Sequence, residues 1–168
     1  MILDLGDATF DIDFEKTVLY YAAEVKERCD CAYCRNFSVT VDWEYPSLRP
    51  LLARFGIDID TPDESMPYDQ PNEIWYENVY SVTGSILEGE DLSFLVDGVT
   101  VHVYADHQHK AYTACPAPRF YIRVGMMILP WALNEPMEDV LSPANEPSFL
   151  QKMWRRLLSR VKNTDITS

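Results

Sequence analysis

Between Glu73 and Leu129 the chain carries three stretches in which β-branched and aromatic residues crowd together, and no other feature restricts its fold as strongly. They are "EIWYENVYSVTGSIL" (Glu73–Leu87), "LSFLVDGVTVHVYAD" (Leu92–Asp106) and "RFYIRVGMMIL" (Arg119–Leu129). Each is short, apolar and followed by turn-forming residues, the pattern of a strand. Asp97-Gly98 separates two β-rich runs inside the second stretch. That dipeptide suits a two-residue type I′ turn, because both central positions need φ > 0. Val99, Val101 and Val103 fall on one face of the second arm, which leaves Thr100, His102 and Tyr104 on the other. Consecutive strands with short connections predict an antiparallel meander.

The N-terminal half is more mixed. "TFDIDF" (Thr9–Phe14) alternates apolar and polar residues and predicts another strand. "TVLYYAAEVK" (Thr17–Lys26) begins with β-branched and aromatic residues, which favours a second strand leading into Cys29. "PSLRPLLARFG" predicts a helix over 48–55, with Leu48, Leu51, Leu52 and Phe55 on one face and Gly56 just beyond its end. With Ser47 as N-cap, Pro50 takes the third helical position, where its missing N–H has no intrahelical partner to lose. "GIDIDTPDESMPYDQPNE" (56–73) reads as a solvated acidic loop. Asp58, Asp60, Asp63 and Glu64 resemble a calcium loop only superficially, since Pro62 and Asp63 stand where its fifth-position oxygen ligand and sixth-position glycine belong. At the C-terminal end, "SFLQKMWRRLLSRVK" (148–162) predicts an amphipathic helix packed on the sheet. Phe149, Leu150, Met153, Trp154, Leu157, Leu158 and Val161 form its apolar stripe, and its basic residues face the acidic body.

Composition fixes the class. A chain of 168 residues buries about 70% of its unfolded surface in one core and needs no metal or disulfide to be stable. A 47% hydrophobic fraction with ten Tyr, seven Phe and four Trp excludes a disordered acidic tail despite the net charge of -13. Residues 1–151 hold 26 acids against nine bases, and residues 152–168 hold five bases against one acid. Such a surface repels nucleic acid, because phosphate binding needs clustered Lys and Arg, and it suits a basic protein partner. The N-terminus carries acids where a secretory leader carries bases, which points to the cytoplasm. The longest uncharged apolar run, Val124 to Leu133, is ten residues and contains Pro130. A membrane span needs about 20.

Three of the four cysteines, Cys29, Cys31 and Cys34, lie in the six residues "CDCAYC". In a reducing compartment such thiols are free, metal-bound or transiently oxidised rather than part of a disulfide framework. Zinc takes four tetrahedral ligands, so a metal site here needs one more donor. Cys115 supplies the remaining thiol, and His102, His107 and His109 are the nitrogen alternatives. The candidate metal set is therefore Cys29, Cys31, Cys34 and Cys115, with zinc as the candidate ion. For redox chemistry, Arg28 and Arg35 favour thiolate while Glu27 and Asp30 oppose it, so the local charges nearly cancel.

Three segments, "CAYCRNF" (Cys31–Phe37), "YPSLRPLLARFGIDIDTPDE" (Tyr45–Glu64) and "LPWALNEP" (Leu129–Pro136), resemble an uncharacterised family of small bacterial proteins. That family shows a cysteine pair followed by a basic residue and Asn-aromatic, then a Pro-led helix ending in Leu/Phe-Gly-Ile-Asp, and later a Pro-Trp-x-Leu segment. The resemblance implies a short helix after Cys34 and centres the pattern on Cys31 and Cys34, with Asn36 capping or bracing the turn. It implies no activity. Together these readings give an α+β domain spanning 1–168: an antiparallel sheet, a helix after the cysteine turn, a helix at 48–55 and a C-terminal helix.

No Gly-rich phosphate loop, nucleophile elbow or zinc-protease helix is present in the sequence. Scattered groups such as Glu73, Glu77 and His102 are the available acids and bases. The leading functional reading is a non-enzymatic binding or interaction module of bacterial or mobile-element origin, whose acidic surface meets a protein partner. The second is a metal- or thiol-dependent enzyme centred on Cys29, Cys31 and Cys34.

Overall fold

The structure, a computed structural model, describes residues 1–23, 29–70, 73–89, 91–106 and 113–135. The chain divides into two compact units, Met1–Asn134 and Glu135–Ser168, and every element described belongs to the first. The helix expected over 148–162 and the histidines His107 and His109 lie outside the described residues.

The fold is mixed α+β, with seven antiparallel strands in one sheet. In chain order the elements are β1 (Ile2–Asp4), β2 (Thr9–Ile12), α1 (Phe14–Ala22), α2 (Ala32–Glu44), α3 (Leu48–Ala53), β3 (Glu64–Gln70), β4 (Glu73–Glu88), β5 (Leu92–Val96), β6 (Val99–Ala105) and β7 (Arg119–Pro130). Sheet order is β1-β2-β4-β7-β6-β5, with β3 paired to the other half of β4 on the same side as β2. Thus β5, β6 and β7 run in chain order, while β4 lies beside β7. Asp97 and Gly98 turn the β5–β6 hairpin with φ of 50° and 83°, as a type I′ turn requires.

One sheet face carries Phe10, Ile74, Tyr76, Ile122, Val124 and Leu129, all buried. The helices cover it. Phe10 meets Phe55 edge-on at 5.4 Å and stacks on Phe120 at 5.4 Å, and Phe37 of α2 lies 5.3 Å from Tyr76. On the opposite face Val79, Tyr104 and Tyr121 form a smaller buried cluster with Met66 against it.

Three sequence expectations are corrected. Thr17–Lys26 does not continue as a strand; Phe14–Ala22 is helical, and residues 24–26 lie outside the described set. Asp13 is the N-cap, its carboxylate accepting from Lys16 N–H, and Thr17 and Tyr21 share the buried face four residues apart. That face has a specific task. β2 and β3 leave a gap along β4, and side chains satisfy its backbone there. Thr83 N–H donates to Thr17 Oγ1, Ser81 N–H donates to Asp63 and to the Tyr21 hydroxyl, and the Tyr21 hydroxyl donates to Ser81 O.

The second correction concerns 56–73, which is neither a plain loop nor a solvated one. Glu64–Gln70 forms β3, with Pro67 tolerated because among the described residues β3 pairs with β4 alone. Asp60 pairs with Arg49 at 2.9 Å, and Arg49 also grips Asp42 at 2.8 Å. α3 ends two residues earlier than expected. Ser47 is its N-cap residue, as expected, but its side chain does not cap the helix: its hydroxyl and N–H both donate to Asp97 in the β5–β6 turn.

Candidate metal centre

The cysteines sit where α2 begins. Cys31 is the N-cap, in extended conformation, so Cys34 occupies the third helical position and points back over the first turn. Arg35 braces the turn: its guanidinium donates to Asp30 O and lies 3.7 Å from the Asp30 carboxylate. Its own N–H closes the first helical bond onto Cys31 O at 3.0 Å.

The far side of that first turn is held by the end of the sheet. Tyr76 of β4 donates to Tyr33 O at 2.8 Å, and the Tyr33 hydroxyl donates to Asp69 of β3 at 2.5 Å. Asn36, fully buried, donates to Pro130 O at 3.1 Å and accepts from Ala132 N–H at 2.8 Å. It therefore ties α2 to the "LPWAL" segment rather than capping its own turn, a correction to the expected role. Trp131 in that segment meets the Tyr33 ring edge-on at 6.3 Å. The cysteine turn is open to solvent on one side and anchored to β3, β4 and β7 on the other.

Within this frame the Sγ atoms of Cys29, Cys31 and Cys34 all lie within 4.8 Å of one another. Cys29 and Cys31 are exposed and Cys34 is half-buried. The Cys31 N–H bonded to the Cys29 sulfur lowers the Cys29 thiol pKa, burial opposes this, and thiol contacts from Cys31 and Cys34 add to the lowering. Burial pushes the Cys34 thiol up, reinforced by its contacts with Cys29 and Cys31. The turn thus holds one thiol disposed to ionise beside one that keeps its proton. Chemically the trio can bind a thiophilic ion as its thiol protons pass to solvent, or two of the thiols can lose two electrons to an oxidant and two protons to solvent as a disulfide.

Cys115 is corrected as a fourth ligand. It is buried at the other end of the sheet, with its sulfur 3.3 Å from Thr83 Oγ1. Thr83 is seven residues along β4 from Tyr76, which spans roughly 23 Å at strand rise. The sequence could not show this, because the position of residue 115 depends on how β7 pairs with β4.

The acids and bases named from sequence do not gather at the cysteines. Glu73 accepts from Trp75 Nε1 at 2.8 Å. Glu77 lies 3.3 Å from Arg123 Nε, and His102, directly opposite Arg123 in the ladder, approaches Asp91 at 3.4 Å. What sequence reading missed at the centre was the Asp30–Arg35 brace and the reach of Asn36. A basic residue directly after the second half of C-x2-C was the available signal for the first.

Among the described residues no helix is long and apolar enough to cross a membrane. Comparison with known proteins yields no match: no family model, no curated protein and no solved structure is similar to this chain.

Proposed function

We propose that the protein is a non-enzymatic binding module whose Cys29–Cys31–Cys34 turn takes one thiophilic metal ion. The observation that carries this is the convergence of three sulfurs within 4.8 Å on an anchored, partly exposed turn. A tetrahedral zinc with Zn–S bonds of about 2.3 Å sets its sulfurs about 3.8 Å apart. Closing the trio onto an ion therefore asks for about 1 Å of side-chain movement, which thiol rotamers at an exposed turn can supply. The reading assumes a reducing cytoplasm, which keeps the thiols available.

Zinc is the first probe. Reduced protein loaded with zinc and freed of excess by gel filtration is expected to retain one equivalent per chain, and Cys34→Ser to lose it. A chain that retains neither zinc nor another thiophilic ion, with Cys34→Ser as stable as the parent, contradicts the reading and the metal-enzyme alternative together.

A second element of the proposal is a basic protein partner, favoured by the 26 acids against nine bases over residues 1–151. Association of that kind weakens steeply with salt.

A further inference from the structure

We infer that the cysteine turn is a three-coordinate, all-thiolate site whose fitting ion is a soft monovalent cation of the Cu(I) class, held with one side open to an incoming ligand. This rests on the proposal that the turn binds metal at all, and it adds the coordination number and the class of ion.

The donor set comes first. Among the described residues the Cys29–Cys31–Cys34 trio is the one group of three or more Cys, His, Asp or Glu whose ligand atoms converge, and no fourth member joins it. Among the described residues, the carboxylates beside the turn are otherwise engaged: Asp30 with Arg35, and Asp69 with the Tyr33 hydroxyl. Cys115 lies at the far end of β4. Structural zinc completes its tetrahedron with protein ligands, which this trio does not supply. Soft thiolates select Cu(I), a closed-shell ion that is content with two or three sulfurs.

Charge points the same way. A Cu(I) tris-thiolate carries two net negative charges, which need local compensation. Cys31 and Cys34 occupy the N-cap and third position of a 13-residue helix, where the first backbone N–H groups have no intrahelical acceptor and the dipole favours negative charge. The Arg35 guanidinium stands at the same turn, where it offsets the Asp30 carboxylate. Exposure supplies the last piece. Cys29 and Cys31 are open to solvent, so an external thiol can reach the ion and take it by ligand substitution. Binding forms three Cu–S bonds, releases the thiol protons to solvent and leaves the oxidation state of copper unchanged.

The test uses the full-length, reduced protein under anaerobic conditions, with Cu(I) presented as its bicinchoninate complex and Zn(II) titrated separately. One Cu(I) per chain is expected, with three sulfur neighbours and no fourth ligand in the copper-edge X-ray absorption spectrum. Serine at each of Cys29, Cys31 and Cys34 in turn should weaken binding by more than about tenfold, as loss of a ligand does. Cys29 and Cys31 are exposed, so their variants remain folded even where Cys34→Ser does not. Zinc should bind with a non-protein donor in its fourth position. Two-sulfur copper indifferent to one of the substitutions, or zinc closed by four protein ligands, overturns this inference and leaves the metal reading standing. Binding of neither ion removes both.

Discussion

Asn36 is fully buried near the start of α2, and its amide closes two backbone groups of the segment that follows β7. Removing that amide takes the partner from Pro130 O and Ala132 N–H and leaves a gap at a fully buried position. Asn36→Ala is therefore expected to cost about 2 kcal/mol, read as a lower urea midpoint at unchanged slope. A loss of only a few tenths of a kcal/mol would show that water replaces the amide. The partner of Asn36 lies 94 residues away, so no local pattern announces it. The cysteine trio was legible because its members are sequence neighbours and a helix start folds them together. Cys115 was misjudged for the opposite reason, since its place is set by strand pairing across β4.

Among the elements, α1 was misread because Thr17, Val18, Tyr20 and Tyr21 prefer strands intrinsically, while tertiary demand selects the helix. Their four-residue spacing and the Asp13 cap were the signals that outweighed propensity. Strands β4 to β7 were legible because β-branched and aromatic residues crowd together in them and Asp97-Gly98 marks the β5–β6 turn. β3 was not, because its acids and Pro67 read as loop. The α3 terminus comes at Ala53, short of the expected 55, and the structure shows why glycine serves at 56 all the same. Its φ is +81°, and an added Cβ would meet Val18, Thr17 and Phe14 O of α1 at 3.2–3.3 Å. Gly56→Ala is expected to destabilise by about 1–2 kcal/mol through the left-handed backbone alone. Thermal melts that place the variant level with the parent would contradict a left-handed backbone at this position.

At the scale of the whole molecule, the sheet buries tyrosines on both faces. Burial holds the phenols of Tyr104 and Tyr121 up to about 12, and the Asp106 carboxylate that accepts from Tyr121 adds to its shift. A folded-state pKa raised in this way stabilises fully below the unfolded value of about 10 and is lost as pH rises through about 12. Base titration should therefore show tyrosinate absorbance and loss of near-UV circular dichroism moving together between about pH 10 and 12. Tyr104→Phe should reduce the pH dependence. Titration of all ten tyrosines near the ordinary value without loss of structure would contradict the burial of this cluster.

The same sheet anchors the first turn of α2 through Tyr76, Asp69 and the Pro130 segment, and so presents three thiols on a fixed base. That they take an ion is the central claim. Its most direct test is anomalous diffraction from crystals of metal-loaded protein, recorded above and below the metal edge. The account predicts one peak at bonding distance from the sulfurs of Cys29, Cys31 and Cys34 together. A peak elsewhere, or none in protein loaded under reducing conditions, would contradict it.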